Sequence, residues 1–189
     1  MDSSGMIQQN KRPSARIAEK SVAEQNAVDR KDVERFMGVF AKRLEKLGVS
    51  VTVLEVKGVD VQFKDYLDFQ NLTSELLTFL IIIDKKLQGL DQNSKGELID
   101  RFDDLVIAIW SILLKGALSF FVVISEDQYL PLGSREVFTR ELRTLNEAQV
   151  KLSASPYKEK VPTETKKQLE TAERILVKVI EKAPSLLEL

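Results

Sequence analysis

The run Val106–Ile124 (V-I-A-I-W-S-I-L-L-K-G-A-L-S-F-F-V-V-I) constrains this chain more than any other stretch. Fifteen of its 19 residues are apolar, and they fall all round a helix instead of along one stripe. A helix at the surface of a folded domain needs a polar face. The segment therefore reads as buried core, subunit interface or membrane span. A span needs about 20 largely apolar residues, which this run just reaches. Lys115 stands at its centre, where insertion of a charge costs about 3 kcal/mol or more. The flanks Arg101-Phe102-Asp103-Asp104 and Glu126-Asp127 are acidic on both sides, with no basic cluster to set an orientation. The buried-helix reading is the stronger one. Gly116, Ala117 and Ser119 would let another helix approach closely, from the same chain or from a second copy.

The rest of the chain supplies helices to cover it. Asp32 caps a helix over 33–47 (Val33, Phe36, Met37, Phe40, Leu44, Leu47), and Gly48 stands as its stop. Asp65 to about Leu87 is a second helix. The central helix occupies about 95–124. Ser134 caps a fourth, with Phe138, Leu142, Leu145, Ala148 and Leu152 as its stripe. Thr163 caps a fifth, carrying Leu169, Ala172, Ile175, Leu176, Val179 and Ile180, which Pro184 is expected to end. Between the first two helices, residues 49–63 (V-S-V-T-V-L-E-V-K-G-V-D-V-Q-F) are β-branched around Lys57-Gly58. They predict a short β-hairpin over about 50–63, pairing Val56 with Val59 and Leu54 with Val61. The expected fold is mainly α: a five-helix, bundle-like domain around a central apolar helix, over 32–189, with one hairpin. Residues 1–31 carry too few apolar side chains to offset ordering and are expected to form a disordered or loosely helical tail.

Chemistry is conspicuous by what is missing. The chain has no histidine and no cysteine, which removes thiolate metal sites, cysteine nucleophiles and the commonest general base. Its glycines form neither a phosphate-binding loop nor a dinucleotide fingerprint. Asp65/Asp68 and Asp100/Asp103/Asp104 could ligate Mg²⁺ with a phosphate substrate, but acids early in a helix are ordinary partners of its dipole. Ser111 and Lys115 are four apart on one face, the spacing of a serine–lysine dyad, in a helix interior that implies no cleft. Twenty-eight basic residues against 29 acidic ones create no field towards nucleic acid, and Lys11, Arg12 and Arg16 are too sparse for a phosphate-binding arm.

These features lead to an expected function: a non-enzymatic, cytoplasmic, helical protein–protein interaction protein, an adaptor, assembly factor or regulator. No catalytic, cofactor-binding or metal-ligating residues are assigned, and no cofactor is expected. Candidate interaction residues are Trp110, Lys115 and Gly116 on the central helix and the apolar end Leu186, Leu187 and Leu189. A homodimer is expected, because single-striped helices cover an all-round apolar one only if all pack on it together. The alternative is a membrane-associated subunit of a larger complex anchored by Val106–Ile124. A third reading is a carboxylate- and Mg²⁺-dependent phosphoryl-transfer enzyme built on Asp100–Asp104.

Overall fold

The computed structural model describes residues 13–57, 63–123 and 134–187. They form five helices: α1 (Pro13–Lys57), α2 (Phe63–Gln88), α3 (Gln92–Val123), α4 (Ser134–Ser153) and α5 (Thr163–Leu187). The helical, bundle-like architecture is as expected, with α3 as the central helix.

The predicted hairpin does not form. Residues 49–57 continue α1, and Phe63 opens α2; Gly58 and its neighbours through 62 lie outside the described residues. The physical reason is a competing period. Val33, Met37, Phe40, Leu44, Leu47, Val51 and Leu54 recur at alternating steps of four and three, and all are buried. This 3.5-residue repeat lets a helix stay against its neighbours for many turns, and it runs straight through Gly48 into the supposed strand. Val49 and Val53, which made the pattern look alternating, point outwards at 66% and 40% exposure. Two hydroxyls that favour strands bond back to the helix instead: Ser50 Oγ donates to the Lys46 carbonyl (3.1 Å), Thr52 Oγ1 to that of Gly48 (3.0 Å). At its other end α1 begins at Pro13, so one helix crosses the boundary expected at 31–32. α5 likewise runs past Pro184 to Leu187, although that proline removes one backbone donor.

The all-round apolarity of α3 has a simple origin. Along it, adjacent residues face different cores. Val106, Ile109 and Leu113 enter the main core with α1 and α2, whereas Ile107, Leu114 and Ala117 enter two smaller cores with α4, α5 and the connection between them. The first set steps by three and four, and the second by seven and three with half-buried Trp110 in the gap, so two heptad stripes about 100° apart lie side by side on one helix. α3 is the shared wall of two three-helix units, α1–α2–α3 and α3–α4–α5. Among the described residues, neither α1 nor α2 brings its backbone near α4 or α5. Every residue from Leu105 to Phe121 is buried or half-buried within the one chain. The four flanking helices do close over the central one.

Gly116 shows how tightly. A Cβ there would stand 2.5 Å from Phe69 Cζ, so the Phe69 ring of α2 occupies the space a side chain would need. On the other side, the α4–α5 connection folds back over α3. Val161 is buried against Ile107 and Leu152, and Lys160 reaches Asp100 and Asp103 at 2.7 and 2.9 Å.

Candidate interaction surface and the buried polar link

Of the six residues singled out from the sequence, the three on α3 pack within the fold. Trp110 is half-buried where all three hydrophobic clusters meet. Gly116 receives Phe69 of its own α2, not a second copy. Lys115 is half-buried and already engaged in a polar interaction. Leu186 and Leu187 fall in the last turn of α5, with their side chains outside the described set, and Leu189 lies outside the described residues. The structure thus brings Trp110 and Gly116 into packed positions of α3.

The acidic cluster of α3 is likewise occupied. Asp103 is buried and Asp100 exposed, and both accept hydrogen bonds from the Lys160 ammonium, whose pKa these two bonds raise. Among the described residues no group of three or more acids is placed to hold a metal ion. Ser111 Oγ accepts a hydrogen bond from Thr165 Oγ1 at 3.2 Å.

One polar constellation was missed from the sequence. Glu141 of α4 is fully buried, beside Tyr66 and Gln70 of α2, themselves buried. Gln70 Nε2 donates to Glu141 Oε1 at 2.6 Å and to the Tyr66 hydroxyl at 3.1 Å. Arg140 Nε lies 3.6 Å from the same carboxylate oxygen, and Oε2 has no donor in hydrogen-bonding geometry among the described residues. Burial raises the pKa of Glu141; Tyr66, Arg140 and Gln70 oppose that rise without cancelling it. Burial also raises the Tyr66 phenol, and the neighbouring carboxylate raises it further. This link joins α2 to α4, two helices whose backbones do not otherwise meet. The signal for it was present: Val137, Glu141, Leu145, Ala148 and Leu152 are the true buried stripe of α4. The Phe138–Leu142 stripe read from the sequence is rotated by one residue at its N-terminal end, which left Glu141 looking solvated.

Apolar side chains that remain uncovered are most numerous on α1 and α2. Of the ten large apolar side chains exposed among the described residues, six lie on α1 and α2: Val39, Val49, Val53, Leu67, Ile81 and Ile82. Val39, Phe79 and Ile82 line an open groove of about 570 Å³ between these two helices, together with Arg43, Ser74, Glu75 and Thr78. An ion pair between Arg43 and Glu75 crosses it. The Phe36–Phe79 edge-to-face pair (centroids 5.6 Å apart) forms its base, and Lys86 and Arg43 stack over those rings at 5.0 and 5.8 Å. Compared with known protein families, with characterised proteins and with solved structures, the chain has no significant match.

Proposed function

We propose that this is a non-enzymatic helical interaction protein of the cytoplasm, an adaptor, assembly factor or regulator. The observation that carries the reading is on α1 and α2, which keep six large apolar side chains exposed although both helices have a well-packed inner face. Exposed apolar side chains gathered at one groove, as Val39 and Ile82 are, suit the seating of another molecule. The polar groups that might have done chemistry support the same reading, since Asp100 and Asp103 hold Lys160 and Ser111 pairs with Thr165. Isolation of the untagged full-length protein from its native source tests it. Near-stoichiometric recovery with one or more other proteins is expected. Recovery as a lone species, or turnover of a small-molecule substrate, overturns the reading.

Self-association belongs to the proposal, but on outer faces, because α3 needs no second copy to cover it. The second half of α5 exposes Val177 and Ile180 at 46% and 70%. Sedimentation equilibrium decides it: a single 21.4 kDa species, unchanged on tenfold concentration, removes the dimer.

The membrane-anchored alternative keeps one observation: α3 is long and apolar enough to cross a bilayer, with a mean hydropathy of 1.8 over the best window of Lys95–Phe121. Insertion of α3 would strip it from both cores at once, and Lys115 would have to enter the hydrocarbon. That makes the span the weaker reading.

A further inference from the structure

We infer that the outer α1–α2 groove is the docking site for one kind of partner, an amphipathic helix with acidic flanks. This rests on the interaction reading above and adds the place and the chemistry. The shape comes first. Two adjacent helices leave a furrow on each side, and a third helix fits such a furrow at an interaxial distance of about 8–10 Å. The inner furrow of α1 and α2 already holds α3. The outer one is shallow, is lined by Val39, Phe79 and Ile82, and is crossed by the Arg43–Glu75 ion pair, which an incoming helix would have to straddle or open. A third helix presenting a 3.5-residue apolar stripe would bury those side chains as α3 buries Leu47 and Leu76 on the inner side.

Charge selects the flanks of that helix. On α1, Lys42 and Lys46 stand three and seven residues on from Val39, so they share its side of the helix, and both are exposed. On α2, Lys85 and Lys86 follow Ile82 by three and four residues. Neither pair makes an ion pair within the described residues. The acids at the groove are spoken for, Glu75 by Arg43 and Asp32 by Arg35 at 3.5 Å. By helical spacing these four exposed lysines, Lys86 among them stacked over Phe36, stand next to the residues that line the furrow, and glutamates flanking an incoming apolar stripe would meet them. Such pairing speeds encounter and rejects basic competitors more than it adds affinity. A bilayer surface offers anionic charge too, but a flat surface cannot fill a furrow walled by two helices.

The test uses the full-length chain and three probes: a 21-residue helical peptide with a Leu/Ile stripe flanked by Glu, the same stripe flanked by Lys, and vesicles of one-third phosphatidylserine. Binding is followed by anisotropy and by backbone NMR shifts. The Glu-flanked peptide is expected to bind at least tenfold more tightly than the Lys-flanked one, with shifts confined to α1 and α2. Val39→Asp/Ile82→Asp is expected to weaken it at least tenfold. Both positions are 43% exposed, so this variant should keep its melting temperature. Lys42→Glu/Lys46→Glu, altered only at exposed side chains, should weaken the same peptide severalfold and narrow the discrimination. Equal binding of both peptides, shifts centred on α4 and α5, or vesicle binding in place of peptide binding overturns the groove. A native partner retained undiminished by Val39→Asp/Ile82→Asp would also sink the groove, while leaving the interaction reading intact. A protein that has no partner at all would sink both.

Discussion

Gly116→Ala is a one-methyl probe of how α3 meets α2. In isolation, glycine in a helix interior costs about 0.8–1.0 kcal/mol relative to alanine, so an exposed Gly116 would become more stable on substitution. Here the new Cβ would stand 2.5 and 2.6 Å from Phe69 Cζ and Cε1 and 3.4 Å from Val51 Cγ2. Carbon atoms rest at about 3.5–4.0 Å, so the ring must withdraw by about 1 Å. Phe69 is 1% exposed and has nowhere to go without displacing Tyr66 and its neighbours. Forcing an extra methyl into a filled core costs about 1–3 kcal/mol, which outweighs the propensity gain. The expected net change is a destabilisation of about 1 kcal/mol, or some 2–4 °C in Tm for a chain of this size. Guanidinium unfolding followed by circular dichroism measures it. Phe69→Leu should relieve part of the strain, so a double-mutant cycle should show coupling of at least about 1 kcal/mol. Stabilisation by Gly116→Ala with no coupling would mean that α3 does not lie against α2 as described.

Glu141→Gln should make the protein more stable at pH 7, on the order of 1 kcal/mol for each pKa unit by which burial raises this carboxyl, because the amide carries no charge to desolvate. Burial raises the pKa of Glu141 in the folded state, so its destabilising charge is absent below the ordinary carboxylate value of 4.5 and fully present above the raised one. The advantage of the variant should therefore shrink as pH falls towards 4; an equal difference at both pH values refutes the assignment. Trp110→Ala should cost about 2–4 kcal/mol, somewhat below a fully enclosed tryptophan, because the indole is half-buried. Native emission matching that of free indole would contradict this placement. Deletion of residues 1–28 should leave Tm nearly unchanged, since this stretch carries few large apolar side chains; a drop of more than about 4 °C, or roughly 1 kcal/mol, would show that the removed segment packs.

What was legible in the sequence was whatever a single helical period controls. The central position of α3, the starts at Ser134 and Thr163, and the need for cover on every side all follow from apolar spacing and capping residues. The double stripe of α3 was visible only as apolar excess, because sequence spacing does not say that Val106 and Ile107 serve different cores. The hairpin failed at residues where periods of 2 and 3.5 coexist: Val49, Val51 and Val53 alternate, while Leu47, Val51 and Leu54 keep the heptad. β-Branched side chains favour strands only weakly against a core that already holds one helical stripe. Glu141 escaped because a charged side chain in a helix is ordinarily solvated, and its partners Gln70 and Tyr66 lie about 70 residues away. The outer groove escaped for the opposite reason. Val39 and Ile82 look like core residues until the inner face of each helix proves to be complete without them.

Native-state hydrogen exchange in buffer free of detergent and lipid tests most directly whether α3 is a wall shared by two cores of one folded chain. Amides from Leu105 to Phe121 should exchange only through global unfolding, at a rate independent of protein concentration, and should be the slowest in the protein. Rapid exchange across this segment, with protection gained only when phospholipid vesicles or detergent are added, would contradict the account and return α3 to the membrane.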